Sequence, residues 1–162
     1  MSATALMHLL ESQPYAQAIA QSRWLFPALE TLHVLTLTLV VGSVGVVDLR
    51  LMGVAFRERG VRELSGSVLP WTWGAFAVAV TCGALLFSSK ASLYFVNPPF
   101  RLKMLCLLLA ALNMLVFHAW SARDMAQWDH GLPPARARIA GGLSLLLWIT
   151  IVASGRWIGF TT

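Results

Sequence analysis

The stretch Trp24-Leu25-Phe26-Pro27-Ala28-Leu29-Glu30-Thr31-Leu32-His33 opens a run that stays apolar, apart from threonine, serine and glycine, as far as Val47. Asp48-Leu49-Arg50 closes it. A bilayer crossing needs roughly 20 apolar residues, so residues 24–47 are long enough to span. Glu30 and His33 lie one helical turn apart inside that span. Ionisable groups in hydrocarbon are costly, so the pair requires an internal partner and is a functional candidate.

The same pattern recurs outward from this run. Residues 68–88, 102–120 and 139–160 are three further apolar stretches of spanning length. Pro70 falls near the start of the second, where a first helical turn tolerates it, and Trp71 and Trp73 suit the membrane interface. Lys90 and the Asn97-Pro98-Pro99 turn close that span. Arg101 and Lys103 flank the start of the third. His118 lies near the end of the third, and Arg156 interrupts the fourth near its far end. Ahead of the first span, residues 3–12 predict a short amphipathic helix with Leu6, Met7, Leu9 and Leu10 on its apolar face, suited to lying in the interface. No basic segment precedes it, so it is expected to be retained rather than cleaved from Met1 onward.

Composition agrees. The 162 residues are 57% hydrophobic and 12% charged, against about 25% charged in soluble domains, and the mean hydropathy is +0.69. The expected fold class is all-α: an integral membrane four-helix bundle forming one domain over 1–162, with residues 1–23 as an interfacial segment. The net charge of +5 carries no aromatic-basic stripe, so nucleic acid is not an expected partner. The positive residues sit at span ends. The loops after the first and third spans hold Arg50, Arg57, Arg59, Arg62, Arg123, Arg136 and Arg138, whereas the opposite side holds Arg23, Lys90, Arg101 and Lys103. The positive-inside rule therefore puts the loops in the cytoplasm and both termini in the periplasm. Cys82 and Cys106 fall within apolar runs without a CxxC pattern, which reads as two reduced, buried thiols.

Antiparallel topology groups residues that the sequence separates. Glu30, His33 and Arg156 should share one depth, and a bidentate Glu30–Arg156 ion pair would satisfy both charges. His33 is about 60° around the helix and could join them. Such a cluster reads equally as interhelical glue or as a working site. Asp48 and Arg50 end the first span near His118, which predicts a second polar cluster. Asp48 follows Glu30 by five helical turns, so both share a face expected to point inward. Asn113 reads as an interhelical hydrogen-bonding residue. His8 and His130 read as surface residues.

His33 and His118 are the two histidines within spans, and histidines in a bundle interior can ligate a b-type haem. Helical rise puts His33 roughly 13 Å and His118 roughly 25 Å below the same surface, an offset of about 12 Å that opposes one shared iron. Glu30-x-x-His33 is half of the paired motif of carboxylate-bridged di-metal bundles, but the second half is absent. Neither a nucleophile–base pair nor a phosphate loop stands out. Ser65-Gly66-Ser67 reads as loop.

Several motifs resemble a family. Trp24-Leu25-Phe26-Pro27 with Glu30 and His33, Asp48-Leu49-Arg50-Leu51-Met52-Gly53, Leu69-Pro70-Trp71-Thr72-Trp73, Asn97-Pro98, Phe100-Arg101-Leu102-Lys103, Phe117-His118 and Gly155-Arg156-Trp157-Ile158 are similar, in this order, to a family of small bacterial inner-membrane proteins of unknown function. The likeness covers nearly the whole chain. It implies a four-helix integral membrane protein and no established activity. His8 and His130 lie outside its pattern.

The expected function is a small multi-pass component of the inner membrane, a membrane-embedded subunit or transport-related protein rather than an enzyme. Its partners are the bilayer and a second copy or a membrane complex, and the small residues Gly42, Gly45, Gly141 and Gly142 suit packing within the bundle or against a second copy. The alternative is a b-type haem electron carrier between quinone and a partner, with His33 and His118 as ligands.

Overall fold

The computed structural model describes residues 3–121 and 124–161. Met1 and the loop charge Arg123 lie outside the described residues. The elements are α1 (Ala3–Glu11), α2 (Pro14–Gln21), α3 (Leu25–Leu51), α4 (Val61–Ser89), α5 (Ala91–Val96), α6 (Pro98–Val116), α7 (Met125–Trp128) and α8 (Ala135–Thr161). A π-helical turn, Phe117–Ser121, prolongs α6. No strand occurs among the described residues.

Four helices are long and apolar enough to cross a membrane: α3, α4, α6 with its extension, and α8. Large apolar side chains such as Leu35, Leu108, Leu146 and Ile149 stand exposed along them. That pattern suits lipid as solvent, because hydrocarbon does not drive apolar side chains inward. α3 packs along α4 and against α8, and α8 packs along α6. The order across the bundle is therefore α4–α3–α8–α6. The ends of α3 and α8 define two faces. The terminal face holds Leu25 and Thr161, and the loop face holds Leu51 and Ala135.

Small residues set the close approaches. A Cβ at Gly141 would lie 2.9 Å from the Asp48 carbonyl oxygen, so α8 meets the α3 backbone there. Gly45 faces Leu145 across the same interface, whereas Gly42 has open space around it. Cys106, Leu147 and Ile151 bury the contact between α6 and α8. Leu51, Val61, Trp128 and Ala137 form a second cluster at the loop face.

The helices outrun the apolar stretches. α4 starts at Val61 rather than 68, because Val61 and Leu64 are buried in the bundle. Pro70 is consequently inside α4 and not in its first turn. Nearby, the Thr72 hydroxyl donates to Ser43 Oγ at 2.7 Å, tying α4 to α3. α6 begins early, at Pro98. The Asn97 side chain caps it by accepting from the Phe100 amide at 3.2 Å, and two prolines fill its first positions. Asn97 also donates to Thr161 Oγ1 at 2.9 Å, which fastens the end of α8 to the start of α6.

The N-terminal helices dock on the bundle. α1 packs on α5 and α4, and α2 on α4 and α3. Met7, Ala16 and Ile19 are buried, while Leu6 and Leu9 remain exposed. The Glu11 carboxylate accepts from the Ser92 amide at 2.7 Å and from Ser92 Oγ at 3.0 Å, in the first turn of α5.

Candidate functional site

His33 does not face Arg156. Its Nδ1–H donates to the Ala79 carbonyl of α4 at 2.8 Å, since a carbonyl can only accept. Gly83, one turn on, leaves room for the ring: a Cβ there would lie 3.0 Å from His33 Cε1. With Nδ1 committed, Nε2 is the position at which the imidazole can gain or lose a proton. The Lys103 ammonium of α6 acts electrostatically on this ring, and so does Glu30. Lys103 runs over Gly155 of α8, with Nζ 3.6 Å from the place of a Cβ. It forms no salt bridge among the described residues.

Glu30 also acts on Tyr94 of α5. Burial, and then the Glu30 charge, push the Tyr94 phenol above its ordinary pKa. The Tyr94 ring stacks with Phe87 at 6.4 Å and with Phe100 at 5.9 Å, and those two stack on each other at 5.2 Å. The terminal half of the bundle thus holds Glu30, His33, Tyr94 and Lys103, on three helices, within electrostatic reach of one another, with Tyr94 part of an aromatic trio.

The expected Glu30–Arg156 pair is not formed. Glu30 is exposed, and the Arg156 guanidinium lies 5.0 Å from the centre of the Phe160 ring. Helix geometry explains it. Gly155 faces Lys103, so the next residue, 100° around α8, is turned away. Lys103, read as a flanking charge, takes the inner position instead. Its signal was present in the sequence. Arg101 and Lys103 are two residues apart and point about 200° from each other, so one must face the bundle. Arg101 sits 5.7 Å from the Phe95 ring.

The second expected cluster is divided. Arg50 is 1% exposed. Its Nε donates to the Arg59 carbonyl at 2.8 Å, and its Nη2 to the carbonyls of Asp129 at 2.8 Å and Gly131 at 3.4 Å. It fastens the two loops together. Asp129 also accepts from the Arg62 amide at 2.8 Å, and Arg57 bonds the Gly53 carbonyl. Asp48 instead turns to α8, where Ser144 lies beside its carboxyl and the buried Oδ2 has no hydrogen-bond partner among the described residues. His118 is exposed on the π-helical turn and bonds the Met114 carbonyl at 2.9 Å. It joins neither residue.

This placement also corrects the haem pair. His33 lies within electrostatic reach of Lys103, and His118 is fifteen residues further along the helix bearing Lys103. At 1.5 Å per residue that is roughly 20 Å. The two rings do not fit as axial ligands of one iron. Asn113 bonds as expected, donating to the Ala140 carbonyl of α8 at 2.9 Å. His8 and His130 are surface residues.

A family model covers this whole arrangement. The chain belongs to the family of unknown function DUF6644, which matches residues 26–161. The match takes in all four long helices and begins after α1 and α2. No curated protein and no solved structure matches the chain. DUF6644 membership accords with the resemblance to an uncharacterised membrane family and assigns no activity, so function has to be argued from the site.

Proposed function

We propose that this protein is a small multi-pass component of a bacterial inner membrane that handles protons through Glu30, His33 and Lys103. The observation that carries this reading is Lys103: a cation inside the bundle, without a salt bridge among the described residues, acting on a histidine whose Nδ1 is already committed to Ala79. Intramembrane ionisable groups of this kind mark proton relays and ion paths. A like charge within electrostatic reach disfavours the protonated form of a basic group. A proton taken at His33 Nε2 therefore meets the field of Lys103, and Glu30, one turn towards the terminal face, is the acceptor through which protons arrive. The excess of arginines at the loop face supports a cytoplasmic loop side and a periplasmic terminal side. The protein would work as a membrane-embedded subunit or transport component, with the relay at its periplasmic end.

The test is proton flux in vesicles. The protein is reconstituted with pyranine trapped inside, and an external acid step is applied under a potassium-valinomycin clamp. Acidification faster than in empty vesicles is expected, slowed at least severalfold in His33→Ala and Lys103→Met and unchanged in His118→Ala. Wild-type flux equal to that of empty vesicles, or equal flux in all variants, overturns the reading.

A further inference from the structure

The corner between α1, the end of α4 and α5 is a groove of about 570 Å³ lined by Glu11, Ser89, Lys90, Ser92, Leu93 and Val96. It lies outside the Glu30–His33–Lys103 site and has three chemical zones. Lys90 supplies a cation immediately after Ser89, the last residue of membrane-spanning α4, hence at headgroup depth. Its ammonium rests 4.9 Å from the centre of the Phe26 ring and forms no salt bridge among the described residues. A ring face occupies one side of an ammonium with three donors, which leaves N–H groups for another acceptor. Glu11 supplies the opposite charge. Two of the roughly four lone-pair positions of a carboxylate serve Ser92, and the exposed His8 lies 3.6 Å away. Leu93 and Val96, 42% and 65% exposed, continue the groove as an apolar wall.

We infer that this groove binds an aminophospholipid: a glycerophospholipid whose phosphate meets Lys90, whose primary ammonium meets Glu11, and whose acyl chains lie along Leu93 and Val96. Charge complementarity selects this occupant. An anionic headgroup such as phosphatidylglycerol satisfies Lys90 but brings only negative charge and hydroxyls to Glu11. A choline headgroup has the right charges, but its methylated nitrogen has no N–H to donate to the carboxylate. Phosphoethanolamine supplies an acceptor for the lysine and a charged donor for the glutamate on one short bridge. A bound lipid would also brace the α1–α5 contact, because Glu11 caps α5 and lines the groove.

The test is lipid titration of the delipidated full-length protein in dodecyl maltoside, read by native mass spectrometry with dioleoyl phosphatidylethanolamine, phosphatidylcholine and phosphatidylglycerol. Phosphatidylethanolamine should bind about fivefold more tightly than the other two, the scale of one interfacial ion pair. Glu11→Gln keeps an oxygen to accept from Ser92, so α5 stays capped. It should erase the preference over phosphatidylcholine. Lys90→Gln should weaken all three lipids. Equal binding of the three by the wild type, tighter binding of phosphatidylglycerol, or a preference that survives Glu11→Gln overturns the assignment. The measurement does not depend on proton flux, so the two proposals fail separately.

Discussion

Gly141→Ala tests the contact that joins the two halves of the bundle. A Cβ at Gly141 would lie 2.9 Å from the Asp48 carbonyl oxygen, 3.1 Å from Leu51 Cβ and 3.4 Å from Met52 Cγ. Ordinary non-bonded separations are about 3.5–4.0 Å. The nearest obstacle is backbone, so no rotamer change relieves it, and α8 must retreat by about half an ångström. Overpacking of this kind costs about 1–3 kcal/mol. Against this, alanine is a better helix former than glycine by about 1 kcal/mol.

The net expectation is a loss of up to about 2 kcal/mol, which lowers Tm by up to about 8 °C for a chain of this size. The assay is thermal unfolding in detergent, followed by intrinsic tryptophan fluorescence. Gly142→Ala and Gly42→Ala are the matched controls. Gly142 meets only the flexible end of Met52 at 4.0 Å, and Gly42 meets nothing within 4 Å. Both should retain the helix-propensity gain and leave Tm unchanged or slightly raised. If Gly141→Ala is as stable as Gly142→Ala, then α3 and α8 do not cross at this glycine and the order α4–α3–α8–α6 is wrong.

Three further outcomes follow from the same contacts. Arg50→Met should cost about 3 kcal/mol or more, because it strands buried carbonyls of two loops; Arg50→Lys should recover only part, since a point ammonium cannot span the acceptors a guanidinium reaches. Thermal unfolding and protease access to residues 52–60 would both report it, and a neutral Arg50→Met would remove the clamp. In haem-supplemented cells, any visible spectrum retained by the purified protein should be unchanged in His118→Ala; a spectrum lost in both His33→Ala and His118→Ala would restore the haem pair. Tyr94 has its folded pKa raised above its ordinary value of about 10, first by burial and then by Glu30. Its contribution to stability is therefore complete below the unfolded pKa and is lost as pH rises through the folded one. An absorbance titration near 295 nm should show a late tyrosine step that disappears in Tyr94→Phe, and if the step that Tyr94→Phe removes lies at the ordinary position, the burial is contradicted.

How legible the fold was depended on which physical term decided each feature. The spans were readable because a bilayer imposes an apolar length, and residues 24–47 satisfy it with little ambiguity. Their ends were not, because packing rather than hydropathy holds the first turns of α4, where Val61 and Leu64 are buried beside Arg62 and Glu63. The partners of polar residues were least readable. Depth follows from counting residues, and it brought Arg156 level with Glu30. Direction depends on which helix is the neighbour. The close partner of His33 is α4, through Ala79 and Gly83, a backbone carbonyl and an absent side chain that carry no polar mark in the sequence. Lys103 has the sequence position of a flanking charge, yet its two-residue offset from Arg101 puts the two on opposite sides of α6.

The two faces use their charges differently, and that difference separates groups that hold shape from the proposed relay. At the loop face, Arg50 donates only to main-chain carbonyls, Asp129 accepts an amide, and Asp48 is enclosed by α8. A charge committed to backbone in this way holds shape, so substitution there should damage folding and flux together. At the terminal face, Lys90, Arg101 and Arg156 rest on phenylalanine rings rather than on carboxylates, Glu30 is exposed, and Lys103 has no ion-pair partner among the described residues. Cation–π contacts at exposed sites contribute only about 0.5–1 kcal/mol, so these groups remain free to exchange one partner for another. Substitution of Glu30 or Lys103 should therefore alter proton handling with little change in Tm. If both faces lose stability equally, the terminal charges are structural too, and the separation of scaffold from working end fails.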